Sequence, residues 1–332
     1  MLAVMTRLEK GGTYFSVSKV SSGLQKQQIR NPAANAAVHV VAYLLFAVYT
    51  LPVALIVVYS FADGAAIQTG QLSPGSLTLD NYVRVLTQPS GLRPFVISIV
   101  YSALASLIAV GGLLFVARML QKYRNWITTA FEYLLHIPWI LPSALLALGL
   151  ILSYDHPNPL VGGAVLTGTT VILLIAFVTV KIPFTLRMLK ASFASVNSSL
   201  EEAANIMGAK TLYIFRRILL PIVLPAAAAI TALNFNSMLD DYDTAIFLAH
   251  PLFQPLGLVI KANTDGAEGV DGVSNTFVYT VLLMVITGVT MYLVYGRTGR
   301  KQARNAKASA AVTQGPTPAL AEAARKDPAL LP

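Results

Sequence analysis

The sequence predicts an all-α integral membrane protein with six transmembrane helices. Of its 332 residues, 55% are hydrophobic and only 12% are charged, and this charged share is about half of that in soluble globular proteins. The hydrophobic residues lie in long blocks, so lipid is expected to surround much of the chain. The basic residues fall between these blocks in an uneven pattern that predicts an orientation in the membrane.

Six blocks are long enough to cross a bilayer, which requires about 20 mostly apolar residues in a helix that satisfies its own backbone hydrogen bonds. In chain order they are Val38–Phe61, Pro94–Ala117, Trp126–Tyr154, Leu160–Val180, Ile218–Asn236 and Phe277–Tyr295. The first block is interpreted as an uncleaved anchor, because it is longer than the apolar core of a signal peptide. The polar or Ala/Pro-rich segments 1–37 and 297–332 are expected to be tails, and the second of them to be disordered.

The basic residues predict which side of the membrane each loop occupies. With six spans, both termini lie on one side, and 21 of the 24 Lys and Arg residues fall on that side. The positive-inside rule makes this side the cytoplasm. The bases are spread over four separate segments, so they do not form the basic patch of a nucleic-acid-binding protein.

The loop from Lys190 to Arg217 has the most specific pattern in the chain. Ser198 or Ser199 can cap a short helix that carries acidic residues in its first turn, where the helix dipole favours them. Small residues follow on one face, and Gly208 permits a sharp turn before a second helix. These features predict a helix–turn–helix, although a plain amphipathic connector lying on the membrane would have a similar composition.

The spacing of this loop resembles the EAA loop of ABC importer permeases. The matching positions are Glu202, Ala203, Ala204, Gly208, Ile218, Leu220 and Pro221. Residues 94–296, with five of the six spans, are similar to the permease core of type I binding-protein-dependent importers. The segment Leu239–Tyr242 is similar to the branch that imports polyamines, ferric iron and phosphonates.

This resemblance implies a permease subunit of the bacterial plasma membrane, without catalytic residues of its own. Loop 190–217 would be a coupling element in which Glu202 contacts a basic residue of an ATPase, Ala203 and Ala204 allow close packing, and Gly208 provides the turn. The implied partners are ABC ATPase subunits, a second permease (a copy or a paralogue), an extracytoplasmic solute-binding protein and membrane lipid. ATP and magnesium would be bound by the ATPase, and no cofactor by this chain.

Several other functions are excluded or disfavoured by missing residues. The sequence contains no cysteine, which excludes thiol catalysis and cysteine-ligated metals. It contains no phosphate-binding loop and no zinc motif. A secondary transporter or channel that works alone is the main alternative, and no acid–base relay for proton or sodium coupling is evident within the spans.

The solute path is harder to predict. Lys181, at the inner end of the fourth block, is expected to extend to the membrane surface. Asparagines near the end of the fifth block could face the path or join helices, and aspartates beyond it could attract a cation or contact a binding protein. The candidate path residues are Asn234, Asn236, Asp240, Asp241 and Asp243. The acidic loop favours ferric iron or a polyamine over a phosphonate.

Overall fold

The computed structural model describes residues 31–266 and 269–296. The expected tails 1–37 and 297–332 lie outside these residues, except for 31–37, which mostly belong to the first helix. Short 3₁₀ turns lie at Pro74–Ser76 and Pro159–Val161, and the described residues contain isolated β-bridges but no strand. The helices are α1 Pro32–Tyr59, α2 Gly64–Thr69, α3 Asp80–Thr87, α4 Pro89–Lys122, α5 Trp126–Ile140, α6 Ser143–Tyr154, α7 Thr170–Ala194, α8 Ser198–Ile206, α9 Thr211–Met238, α10 Ala245–Leu248, α11 Leu256–Thr264 and α12 Gly269–Met291.

The chain divides into two units, Met1–Ala54 and Leu55–Pro332. In the described part of the first unit, the chain is an apolar helix from Pro32 onward whose side chains are exposed. The second unit contains the remaining helices. Within the described residues, α1, α4, α7, α9 and α12 are each long and apolar enough to cross a membrane, which confirms the all-α class.

The third expected span is not one straight helix. It consists of α5 and α6, which meet at an angle of 111°. Leu141 between them has an extended backbone, because proline disfavours the helical conformation in the residue that precedes it. Pro142 itself has a ψ of 140°, which is not helical either. The described residues therefore contain five candidate spans, or six if the bent pair counts as one.

The fourth expected span, Leu160–Val180, is displaced along the chain. Residues 162–169 form a turn in which Gly162 and Gly163 have φ angles of 68° and 82°, a conformation that interrupts a helix. Helix α7 begins only at Thr170 and continues to Ala194. Hydropathy did not predict this shift because the turn is itself rich in apolar residues. Lys181 therefore lies near the middle of the helix rather than at its end.

Two apolar clusters hold α4 and α7 together along most of their length. Small residues on α4, such as Ser102, Ala105 and Ala109, are buried and allow the helices to approach closely. The cluster at the end nearest α8 contains Leu113, Ala117, Leu120, Leu186, Leu189, Phe193, Ala204, Ile214 and Leu219. The cluster at the other end contains Ala105, Leu146, Ala147, Ile172, Leu173, Ala176, Phe177, Met238 and Leu248.

Candidate functional site: the α8 loop and a polar cavity

Helix α8 and the turn after it form the predicted helix–turn–helix. Asn197, rather than Ser198 or Ser199, caps the helix, since its side chain accepts a hydrogen bond of 3.0 Å from the Ser199 N–H. At the other end, Gly208 has a φ of 77°, and its N–H donates to the Asn205 carbonyl at 2.9 Å. This left-handed residue ends α8 and directs the chain into α9.

The two alanines of the motif point in different directions. Ala204 is 2% exposed and packs in the apolar cluster with Leu120, Phe193 and Ile214. Ala203 and its neighbour Glu202 are exposed. Helix α8 therefore rests on the helical core through one face and presents the other face outward.

The outward side also carries large apolar side chains that the sequence reasoning missed. Ile206 is 87% exposed and Met207 is 80% exposed. Leu212 and Tyr213, beyond the turn at Gly208, are exposed as well. We call these four residues the apolar rim. Apolar residues on both sides of the turn glycine were the available signal, because a water-facing turn is usually polar.

Glu201 fixes α8 to the end of α4. Its carboxylate forms an ion pair with Arg118 and a second one, at 2.8 Å, with Lys122. Burial alone would raise the pKa of this carboxyl, but the hydrogen bond from Lys122 and the charge of Arg118 outweigh burial and hold its pKa below the usual value. This role of Glu201 was not predictable from the sequence, because Arg118 is 83 residues away in the chain.

The last three motif positions lie at a widened helical turn, with Ile218 inside it and Leu220 and Pro221 directly after it. Residues Phe215–Leu219 form a π-helical turn, in which the Leu220 N–H donates to the Phe215 carbonyl. Pro221 has no N–H to continue the regular pattern. Ile218 and Leu220 are half-buried and Pro221 is exposed. A π turn is uncommon and often lies beside a functional segment.

A cavity of about 490 Å³ lies between the bend of α5 and α6, the middle of α7 and the last part of α9. Lys181 and Asn234 both line it, whereas Asn236 does not. Asn234 is fully buried, and its Nδ2 donates to the Thr185 Oγ1 at 2.7 Å. Within the described part of the chain, its Oδ1 has no hydrogen-bond partner. The two side-chain polar atoms of Asn236 are likewise buried without a partner there.

The three aspartates after α9 do not form one uniform cluster. Asp240 and Asp243 are exposed, while Asp241 is half-buried and accepts a hydrogen bond of 3.0 Å from the Thr244 N–H. Burial raises the pKa of the Asp241 carboxyl, and the hydrogen bonds from Thr244 and the charge of Lys181 reduce this shift only in part. Asp241 thus organises the loop, and the other two aspartates remain available to solvent. Among residues 31–266 and 269–296, no three His, Asp or Glu side chains come close enough to share a metal ion.

Comparisons with known proteins agree with the fold. The family of binding-protein-dependent transport system inner membrane components matches residues 108–304. The probable ABC transporter permease protein y4fN of Sinorhizobium fredii is 37% identical over 84% of this chain. This chain covers only 49% of that relative's length.

Two further relatives are more distant in sequence. The putative 2-aminoethylphosphonate transport system permease protein PhnV of Salmonella paratyphi A is 25% identical, over 78% of this chain and 94% of its own length. The Fe(3+)-transport system permease protein FbpB 2 of Haemophilus influenzae is 24% identical, over 61% of this chain and 38% of its own length.

A chain in the crystal structure of a bacterial ABC transporter that imports alginate has the same fold. The TM-score is 0.61 at 15% identity, over 78% of this chain and 94% of that one. The family match covers more than half of the sequence, and it includes α8, the turn at Gly208 and the cavity. The chain therefore belongs to the binding-protein-dependent transport system inner membrane component family and is a multi-pass protein of the bacterial inner membrane.

Proposed function

We propose that this chain is the permease subunit of an ABC importer and that α8 transmits the movement of a separate ATPase to the transmembrane helices. The observation that carries this proposal is the division of α8 into two faces. Glu201 and Ala204 attach the helix to its own core, and Glu202, Ala203 and the apolar rim remain free for a partner.

The two faces suggest how force would pass through the loop. In the proposed complex, Glu202 pairs with a basic residue of the ATPase, and Ala203 lets the two surfaces approach closely. The apolar rim is buried in the ATPase groove, since desolvating such side chains supplies most of the affinity of an interface. When the ATPase subunits close on ATP, α8 moves with them, and the Glu201 ion pairs carry α4 along. The solute path between the helices then closes on one side of the membrane and opens on the other, as in alternating access.

The orientation follows from the charges between the spans. Lys181 lies within the span α7 and is therefore not counted, which leaves 20 of the 24 basic residues on the side of the α8 loop. This side would face the cytoplasm, with both termini on it. This orientation places α8 on the side of the membrane where an ATPase can bind it. It places Asp240 and Asp243 on the outer side, where a solute-binding protein would release its solute.

The proposed assembly contains two permease units, two ATPase subunits and an external solute-binding protein. A single set of spans encloses only part of a central path, so a second permease, either a copy or a paralogue, is needed. The y4fN relative is about twice as long as the region it shares with this chain, which supports two permease units acting together. ATP and magnesium are bound by the ATPase subunits in this proposal, and this chain contributes no catalytic residue.

The proposed solute is a small charged compound. The relatives differ in the solute for which they are named, namely 2-aminoethylphosphonate for PhnV and Fe(3+) for FbpB 2. Asp240 and Asp243 give the proposed outer side a negative charge, which would attract a cation or the positive end of a zwitterion.

The proposal is tested by purifying the tagged chain from its native membrane in mild detergent and identifying the proteins that accompany it by mass spectrometry. We expect a P-loop ATPase in the purified complex. We also expect uptake into proteoliposomes to require ATP on the side of the membrane on which the ATPase lies. If the chain is purified alone and moves solute without ATP, the alternative of a secondary transporter or channel replaces this proposal.

A further inference from the structure

Lys181 lies in an unusual position for a charged residue. It is near the middle of α7, a helix of 25 residues that is long and apolar enough to cross the membrane. A charged side chain at this depth is costly, so it is rare in spans and usually serves a function. The expectation that Lys181 extends to the membrane surface no longer applies, because α7 continues for more than three turns beyond it.

The other basic residues of α7 have partners. Lys190 forms an ion pair with Glu132 on α5, and the Arg187 guanidinium lies 6.0 Å from the centre of the Trp139 ring. Among the described residues, Lys181 has no ion pair within 4 Å. Asp240 and Asp241 act on it only through space. Its ammonium group is thus free to receive a ligand from the cavity.

The cavity wall offers a second free polar group. Asn234 is fully buried, and its Oδ1 has no partner among the residues that the structure describes, although Nδ2 donates to Thr185. An unpaired acceptor in a buried place is unfavourable unless a ligand or water supplies a donor. The remaining wall is mostly apolar, with Trp139, Phe184 and Leu233 among its residues. A largely apolar wall with a few polar groups is typical of small-molecule sites, and a volume of about 490 Å³ fits their size.

We propose that this cavity is a solute subsite in which the Lys181 ammonium receives an acidic group of the solute and Asn234 Oδ1 accepts a hydrogen bond from the same molecule. The inference rests on the proposed permease function. It names the solute class as a small acid that also carries an N–H or O–H donor, such as an aminoalkyl- or hydroxyalkylphosphonate. Asp240 and Asp241, which act on Lys181 through space, favour a solute with both signs of charge over a bare anion.

The test uses the complete complex, purified with its ATPase and binding protein and reconstituted in proteoliposomes. ATP-driven uptake is measured for labelled 2-aminoethylphosphonate, 2-hydroxyethylphosphonate, ethylphosphonate, spermidine and ferric ion. The variants are Lys181→Met, which removes the charge, Lys181→Arg, which keeps it, and Lys261→Met as a control. Lys261 is an exposed lysine that pairs with Asp265 and does not line the cavity.

We expect uptake of the two phosphonates that carry an amino or hydroxyl donor. Ethylphosphonate, which lacks this donor, should be taken up at no more than one tenth of their rate. Lys181→Met should lower the uptake of both at least tenfold, while Lys181→Arg retains most of it and Lys261→Met retains all. Uptake of spermidine or ferric ion without the acids overturns the proposal, and so does undiminished acid uptake by Lys181→Met. A complex that hydrolyses ATP but moves none of the acids also overturns it. Failure of the permease function is recognised separately, because the wild-type chain would then not co-purify with an ATPase.

Discussion

The α8 loop and the cavity beside Lys181 both contain charged groups in partly buried places. In the loop these groups are paired, whereas in the cavity they are not. In the loop, Glu201 is paired twice and the backbone at Gly208 is closed by a hydrogen bond. In the cavity, neither the Lys181 ammonium nor Asn234 Oδ1 has an ion-pair or hydrogen-bond partner among residues 31–266 and 269–296. Paired groups hold an element rigid, which suits the transmission of movement. Unpaired polar groups can form hydrogen bonds or ion pairs with a ligand, which suits the binding of a solute.

The largest effect is expected from a change of backbone conformation in the loop. Gly208→Val places a β-branched residue at a φ of 77°, at a cost of about 1–3 kcal/mol, and would misdirect the turn between α8 and α9. We expect ATP-driven uptake to fall at least about tenfold while the chain still inserts into the membrane. Uptake by vesicles and the amount of inserted protein are both measured.

Two variants serve as controls for Gly208→Val. Gly208→Asn should retain most of the uptake, because asparagine tolerates left-handed angles. Gly149→Ala adds a methyl group on α6 where nothing lies within 4 Å and should be neutral. Normal transport by Gly208→Val would show that the turn does not couple α8 to the helices.

A smaller, more selective effect is expected from Glu201→Gln. The change leaves Arg118 and Lys122 beside a neutral group, so α8 is held less firmly on α4. We expect uptake per ATP hydrolysed to fall several-fold, with the ATPase still bound, because the apolar rim is untouched. Glu202→Gln is the matched variant, and it should instead reduce co-purification of the ATPase. If the two variants behave alike, the two faces of α8 do not have separate roles.

At the acidic loop after α9, Gly257→Ala tests packing rather than transport. A Cβ atom at this position of α11 would lie 2.6 Å from the Asp240 carbonyl oxygen and 2.8 Å from that of Asp241. Both are backbone atoms, so the loop must shift, at a cost of about 1–3 kcal/mol. We expect the apparent melting temperature in detergent to fall by several degrees, whereas Gly75→Ala, which meets nothing within 4 Å, leaves it unchanged. An unchanged value for Gly257→Ala would contradict the close approach of α11.

The smallest effect is a dependence of stability on pH. The pKa of Glu201 is lowered in the folded protein, so its ion pairs stabilise the fold above the usual glutamate pKa of about 4.3. This contribution is lost as the pH falls through the lowered value. The difference in melting temperature between the wild type and Glu201→Gln should therefore be constant between neutral pH and about pH 5 and should shrink below about pH 4. A difference that persists in stronger acid would show that the ion pairs are not its source.

The loop was largely predictable from the sequence, because its features are local. The short helix, the small residues and the turn glycine are close together in the chain, and the structure forms the expected helix–turn–helix around Gly208. The cap is Asn197 instead of the expected Ser198 or Ser199. The direction in which each side chain points was harder to predict from the sequence. Ala204 points into the core because of helices that are distant in sequence, and the partners of Glu201 lie on α4.

The cavity could not be predicted in the same way. Hydropathy finds apolar blocks but does not locate a helix start within one, so α7 was expected about ten residues too early and Lys181 was assigned to its end. The bend at Leu141–Pro142, which forms one wall, was expected to remain inside a single span. The all-α class, the family and the location in the inner membrane are confirmed. The acidic loop suggested a cation, whereas Lys181 in the cavity favours an acid.

The role of α8 as the coupling element can be tested by site-specific crosslinking, because the sequence contains no cysteine. Single cysteines are introduced as Met207→Cys in the apolar rim and Leu252→Cys, an exposed position in the loop between α10 and α11, and membranes are treated with a short thiol-to-amine crosslinker. We predict that Met207→Cys yields an adduct with a P-loop ATPase and that Leu252→Cys does not. If the ATPase is absent from the Met207→Cys adducts, or is captured equally by both variants, α8 is not the coupling element.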